Sequence, residues 1–74
     1  MPMEHQLVIC VENAGYEASL EKRKLYVKVA DNAASKHSQI RVIDESGEDY
    51  LFPSGYFVEV SLPEETEKAV LSAA

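Results

Sequence analysis

Few side chains in this sequence could bind a metal ion or act as a nucleophile. The chain has one cysteine, Cys10, and two histidines, His5 and His37. A closed zinc site needs about four ligands at characteristic spacings, and three scattered residues do not provide them. Cys10 stands near the end of an apolar run, which is typical of a small buried hydrophobic residue. We therefore expect no metal site, no other cofactor and no thiol chemistry.

Carboxylates cluster at two predicted turns. They are Glu12, Glu17 and Glu21 around an early loop, and Asp44, Glu45, Glu48 and Asp49 at a hairpin tip. Adjacent acids could act as a general acid and a general base, but an exposed turn neither desolvates them nor encloses a substrate. The sequence therefore does not predict an enzyme. These residues form either a rim that attracts a basic partner or an ordinary solvated surface.

Tyrosine is the residue type best suited to recognition in this chain. It offers a large contact area at a low cost in side-chain entropy and keeps a polar tip. The four tyrosines are Tyr16, Tyr26, Tyr50 and Tyr56, and they form either a binding patch or the cap of a small core. Tyr16 and Tyr56 flank loops, where binding residues are most common. We therefore expect these two to carry a binding face.

The charge balance bears on the class of partner. Seven Lys and Arg stand against 13 Asp and Glu, for a net charge of −6, which opposes binding to nucleic acid and to anionic membranes. Lys22, Arg23 and Lys24 form the only basic cluster and leave an RNA-associated role as a weaker alternative. A single cysteine and the lack of a leader-like or membrane-spanning apolar segment favour a cytoplasmic location.

The elements that must position these side chains follow from hydropathy. A chain of 74 residues, 46% of them hydrophobic, has room for one small domain. Apolar or alternating runs predict strands over residues 7–11, 25–29, 39–43, 50–52 and 56–60. The first is apolar throughout, so both of its faces should be covered. A long ordered loop precedes the second, and Ser61 and Glu64 have the spacing of a capping box at the start of a C-terminal helix.

One motif resembles a known family. Residues 51–57 read Leu-Phe-Pro-Ser-Gly-Tyr-Phe and resemble the L-F-P-S-N-Y-V segment that closes Src-homology-3 domains. The order of loop and strand lengths from residue 7 to residue 60 is similar too. In that family, proline-rich ligands lie on aromatic ridges, and Pro53 and Tyr56 match two positions of that surface. Gln39 stands where the ligand-stacking tryptophan would be, so the resemblance implies the barrel more than a proline-rich ligand.

The whole chain is also similar to small bacterial proteins that carry V-I-D-E-S-G-E-D-Y-L-F-P, which implies a bacterial source. We predict a mainly β protein, a five-stranded Src-homology-3-like barrel with a short C-terminal α-helix. Residues 1–6 form an N-terminal tail, residues 7–60 the barrel and residues 61–74 the helix.

The predicted function is a non-enzymatic interaction module that binds a protein or peptide, favouring a basic one. Its binding residues are Tyr16, Glu17, Pro53 and Tyr56. The alternative is a structural subunit or homodimer, in which the barrel edge or the C-terminal helix buries Val70 and Leu71 between chains.

Overall fold

Five antiparallel strands form one curled sheet in the computed structural model, which describes residues 5–72. The strands are β1 (His5–Cys10), β2 (Leu25–Val29), β3 (Gln39–Ile43), β4 (Asp49–Pro53) and β5 (Phe57–Glu59). Their order is β4-β3-β2-β1-β5. Because the last strand pairs with the first, the sheet curls into a half-barrel with β4 and β5 at its edges. The predicted mainly β class with five strands is confirmed.

Three short helical segments complete the fold. They are α1 (Asn32–Ser35), a 3₁₀ turn (Ser54–Tyr56) between β4 and β5, and α2 (Glu64–Ser72). The C-terminal helix is therefore present, although residues 73–74 of the predicted range lie outside the described part of the chain. Within residues 5–72, none of the helices has the length and apolar character needed to cross a bilayer.

The start of α2 corrects the predicted capping box. The first helical hydrogen bond joins the Glu67 amide to the Pro63 carbonyl at 2.9 Å, which puts Pro63, not Ser61, at the N-cap position. A residue that precedes proline is disfavoured in the helical region of the backbone. Leu62 therefore stays outside the helix, and the helix starts at Glu64.

The bounds of three strands, β1, β4 and β5, differ from those predicted by one or two residues. β1 begins at His5, so residues 5 and 6 of the predicted tail belong to the sheet. The Gln6 side chain helps to hold them there, because its Nε2 donates to the Val60 carbonyl at 2.8 Å. β5 is shorter than predicted, since Tyr56 ends the 3₁₀ turn and does not start the strand.

The core lies on the concave face of the sheet. Its buried members are Val8, Cys10, Leu20, Tyr26, Ile40, Val42, Phe52 and Phe57. On β2 the ring of Tyr26 enters this core, whereas the aliphatic residues Leu25 and Val27 lie half-buried on the opposite face. Burying the Tyr26 ring removes a large apolar surface from water, which favours this orientation of β2.

β1 is covered on both faces, as its apolar run predicted. The adjacent side chains Leu7 and Val8 are 1% and 0% exposed, although they point to opposite sides of the sheet. The outer face becomes more exposed toward β5, where Val58 pairs with Ile9 and is 53% exposed. An apolar strip therefore reaches solvent at this end of the sheet.

Candidate functional site

Tyr16 and Tyr56 meet at the surface of the half-barrel. Tyr16 lies in the loop between β1 and β2, and Tyr56 ends the 3₁₀ turn. Their ring centroids are 6.0 Å apart and the ring planes are nearly perpendicular, at 78°. Tyr16 also packs edge-on against Phe52 of the core, at 5.1 Å between centroids. The two predicted tyrosines thus form one aromatic face, and Tyr16 stays 38% exposed.

Hydrogen bonds within the loop between β1 and β2 hold Tyr16 in place. The Tyr16 amide donates to the Asn13 carbonyl at 2.8 Å, and the Tyr16 carbonyl accepts from the Leu20 amide at 2.9 Å. The Asn13 side chain donates to the Leu20 carbonyl at 3.0 Å. Across the face, the Tyr56 hydroxyl donates to the Ala14 carbonyl at 2.8 Å. The loop is ordered, as predicted, and it presents both rings in a fixed arrangement.

A shallow depression of about 360 Å³ lies beside Tyr16. It is lined by Tyr16, Ser19, Asp44, Ser46, Tyr50, Leu51 and Phe52. Tyr50 and Leu51 of β4 are exposed there. Sequence reasoning included Tyr50 among the candidates but missed Ser19, Ser46 and Leu51, because no motif links the two turns that bring them together.

The other two predicted binding residues are placed differently. Glu17 follows Tyr16, is exposed, and forms no ion pair with another residue in the described range 5–72. Pro53 is half-buried at the end of β4, opposite Gln39, and does not line the depression. Glu17 is therefore available to a partner beside the aromatic face, whereas Pro53 mainly shapes the entry to the 3₁₀ turn.

The hairpin tip does not form a continuous acidic rim. Asp44 is only 8% exposed, and its Oδ1 accepts from both the Ser46 amide at 2.8 Å and the Ser46 hydroxyl at 2.5 Å. Its amide donates to the Glu48 carbonyl at 3.0 Å. Asp44 thus holds the turn together, in the manner of aspartates that bond to the backbone two residues on.

Glu45 is exposed but is paired with other side chains of the protein. Its carboxylate accepts from the Lys24 ammonium at 2.6 Å and from the Tyr26 hydroxyl at 2.5 Å, and the Tyr26 hydroxyl in turn accepts from the Glu21 amide at 2.8 Å. We call Lys24, Tyr26 and Glu45 the tyrosine cluster. It ties the end of the early loop and β2 to the hairpin tip.

The tyrosine cluster shifts the titration of its members. Hydrogen bonds from Lys24 and then from Tyr26 lower the pKa of Glu45. Burial, and then the bond to Glu45, raise the pKa of Tyr26 well above its usual range. Both shifts favour the same state of the pair, in which an ionised Glu45 carboxylate accepts from a protonated Tyr26 hydroxyl.

Three exposed carboxylates of the predicted rim form no ion pair within the described range, namely Glu12, Glu17 and Glu48. The Glu12 carboxylate accepts from the Ala14 amide at 3.1 Å. The Glu48 carboxylate accepts from the Tyr50 hydroxyl at 2.8 Å, which raises the pKa of Tyr50. Because Asp44 is buried and Glu45 is paired with Lys24, fewer carboxylates of the predicted rim are free of internal partners than the sequence predicted.

Cys10 and the metal-ligating residue types were the remaining candidates for chemistry in the sequence. Among the side chains described between residues 6 and 72, no three His, Cys, Asp or Glu are placed to hold a metal ion together. Cys10 is fully buried, its thiol donates to the Glu12 carbonyl at 3.1 Å, and burial raises its pKa. A buried thiol with a raised pKa is a poor nucleophile at neutral pH.

The two alternative functions predicted from the sequence are an RNA-associated role and homodimer formation. Lys24 of the basic cluster is paired with Glu45 and Glu21, so only Lys22 and Arg23 face a possible RNA without an ion pair in the described range. Val70 and Leu71 on α2 are half-buried within one chain. Both the RNA and the homodimer alternatives stay predictions.

Comparisons of the chain with protein-family models, with curated proteins and with solved structures found no match. The resemblance to Src-homology-3 domains therefore stays a prediction, based on the motif at residues 51–57 and on the order of element lengths.

Proposed function

We propose that this protein is a non-enzymatic interaction module, a Src-homology-3-like barrel that binds a short basic segment of another protein. The observation that carries the proposal is the edge-to-face pair of Tyr16 and Tyr56, which is held at the surface beside the exposed Glu17. The cytoplasm of a bacterium is the setting that we propose with it.

The aromatic face has the physical features of a recognition surface. The Tyr56 hydroxyl is anchored on Ala14 and the Tyr16 ring rests on Phe52, so little side-chain entropy is left to lose on binding. A rigid, partly exposed ring pair offers apolar contact area to an aliphatic or prolyl side chain. The depression beside Tyr16 gives that side chain a place to insert.

The carboxylates near the aromatic face favour a partner segment that carries a basic residue. Glu17 has no cation of its own in the described range, and Glu48 lies at the hairpin tip next to Tyr50. A lysine or arginine on the bound segment would pair with these carboxylates. Such rim pairs contribute more to the association rate and to specificity than to affinity.

The experiment is a selection of random peptides displayed on phage against the immobilised full chain. We expect enriched peptides to combine a basic residue with proline or an aliphatic residue. Tyr16→Ala should weaken their binding at least about tenfold, which is a loss of about 1.4 kcal/mol. The control is Val58→Ala, which removes an exposed apolar side chain from the outer sheet face and should leave the binding of these basic peptides unchanged. No enrichment, or equal binding by Tyr16→Ala, would refute the proposal.

A second pair of variants tests the role of charge with the same peptides. Glu17→Lys and Glu65→Lys both change the net charge by the same amount, and both positions are exposed. Only Glu17 adjoins the aromatic face, whereas Glu65 lies on α2. We expect Glu17→Lys to weaken a basic peptide several-fold more than Glu65→Lys does. Equal effects would show that net charge alone attracts the peptide.

A further inference from the structure

A second surface combines apolar and basic groups and shares no lining residue with the depression beside Tyr16. This groove is formed by Ile9, Cys10 and Val11 at the end of β1 and by Lys22 and Arg23 before β2. Val11 is 47% exposed. Because Val58 pairs with Ile9 across the sheet, the exposed apolar strip continues beyond the groove. We call these residues the basic groove.

The cations of the basic groove are left without partners inside the described protein. Lys24 pairs with Glu45 and Glu21, but Lys22 and Arg23 form neither an ion pair nor a side-chain hydrogen bond within residues 5–72. Both are exposed. Two adjacent cations without an ion pair in the described range therefore lie beside exposed valine side chains, in a chain whose net charge is −6.

The backbone at Arg23 adds an independent observation. Arg23 has a φ of +71°, a conformation that glycine adopts freely and that other residues adopt at a cost. Hydrogen bonds between the end of β1 and the residues before β2 hold the backbone here. The Arg23 amide donates to the Cys10 carbonyl at 2.7 Å, and the Cys10 amide donates to the Lys24 carbonyl at 3.0 Å. Glycine would satisfy the backbone equally well. The guanidinium is therefore not needed for this turn.

We propose that the basic groove is a second docking site, which takes an acidic peptide segment with aliphatic side chains. Carboxylates of the segment would pair with Lys22 and Arg23, and its aliphatic residues would cover Val11 and Val58. Charge complementarity selects this occupant, because a phosphate backbone would find only two unpaired cations here and no exposed aromatic ring to stack on in the groove. The groove shares no lining residue with the depression beside Tyr16, although the Val11 amide donates to the Tyr56 carbonyl at 2.8 Å, and it has the opposite charge preference.

The test is an NMR titration of the ¹⁵N-labelled full chain with a designed hexapeptide that alternates glutamate with leucine or valine. We expect saturable shifts of the amides around Val11, Lys22 and Arg23, and we expect them to weaken as salt is raised. A matched peptide with glutamine in place of glutamate should bind several-fold more weakly. No saturable shift, shifts centred on Tyr16, or equal binding of the glutamine peptide would overturn the proposal.

Variants separate recognition from folding. The double variant Lys22→Gln with Arg23→Gln should weaken the acidic peptide about fivefold or more. The charge-matched control, Lys36→Gln with Lys68→Gln, alters exposed lysines outside the groove and should not. Arg23→Gly should bind the peptide more weakly while its unfolding midpoint stays the same or rises, because glycine suits the positive φ. Unchanged peptide binding by Arg23→Gly and by the double variant would contradict the role of these cations.

A single-stranded RNA oligonucleotide provides the remaining comparison. We expect it neither to shift the groove amides nor to displace the acidic peptide at the same salt concentration. Displacement of the peptide by RNA at lower concentration would overturn the peptide as the occupant and support the RNA alternative. Tyr16→Ala should leave peptide binding at the groove unchanged, which distinguishes failure of this proposal from failure of the aromatic face.

Discussion

The tyrosine cluster and the aromatic face use the same residue type for different ends. Tyr26 is 6% exposed, and its hydroxyl both donates to Glu45 and accepts from the Glu21 amide. Tyr16 is 38% exposed, and its ring touches Phe52 and Tyr56 edge-on. One ring has its polar and apolar requirements met inside the protein. The other leaves contact area for a partner.

This difference separates a tyrosine that stabilises a small domain from a tyrosine that is free to contact a partner. A buried polar group must be hydrogen-bonded, and its loss is costly to the fold. A partly exposed ring that packs by its edge contributes less to stability and can be used for recognition. On that basis we expect Tyr26 and Glu45 to stabilise the fold, and we propose Tyr16 and Glu17 for binding.

The largest expected effect is on the stability of Tyr26→Ala. The substitution removes a buried ring and leaves the Glu45 carboxylate and the Glu21 amide without their bonds to it. We expect a loss of about 3–4 kcal/mol in the free energy of unfolding, measured by urea denaturation with far-UV circular dichroism. The matched variant Tyr16→Ala should lose about 1 kcal/mol or less. Equal losses would erase the distinction between the two regions.

A smaller effect isolates the hydroxyl group. Tyr26→Phe keeps the ring and removes the bonds to Glu45 and the Glu21 amide, so we expect a loss of about 1–2 kcal/mol. Tyr50→Phe is the control, because within the described residues the exposed Tyr50 hydroxyl bonds to Glu48 alone. We expect it to leave the free energy of unfolding unchanged. The same denaturation experiment measures both. A Tyr26→Phe variant as stable as the natural sequence would show that the cluster is unimportant.

The smallest effect is on the pH dependence of stability. The pKa of Glu45 is lowered from its ordinary value of 4.5 in the folded protein, so its contribution is present above that pH and is lost as the pH falls below it. Asp31 acts in the same sense, because its bond to Arg41 lowers its pKa.

Glu45→Gln tests this contribution. The free energy of unfolding falls as the pH is lowered, and this part of the plot is its acid limb. Glu45→Gln should make that fall smaller by about 1 kcal/mol or less. Glu65→Gln, at an exposed site on α2, is the charge-matched control and should leave the limb unchanged. An acid limb with the same slope in Glu45→Gln and in the natural sequence would show that the ion pair with Lys24 adds nothing.

Much of the fold could be predicted because hydropathy repeats with the period of a strand. The alternation over Leu25–Val29 located β2 and its two faces. It did not show that Tyr26 faces the core, since that depends on the register with β1 and on the position of Glu45 in a distant turn. Likewise, the spacing of Ser61 and Glu64 suggested a cap, but the restriction that Pro63 imposes on Leu62 decided the start of the helix.

The candidate site was predictable only in part. Tyr16 and Tyr56 were expected from their places beside loops, and the structure brings their rings together. The internal use of Asp44 and Glu45 could not be read from composition, because it rests on hydrogen bonds to Ser46, Lys24 and Tyr26. The lack of an ion pair at Lys22 and Arg23 within the described range could not be read from the sequence either, because the sequence does not show that Glu45 pairs with Lys24.

The most direct test of the division between the two regions compares two variants in two assays. Affinity for a phage-selected basic peptide and the free energy of unfolding are measured for Tyr16→Ala and for Tyr26→Phe. We expect Tyr16→Ala to lose at least about tenfold in affinity with nearly full stability, and Tyr26→Phe to lose stability with unchanged affinity. Unchanged affinity in Tyr16→Ala, or parallel losses of affinity and stability in both variants, would contradict it.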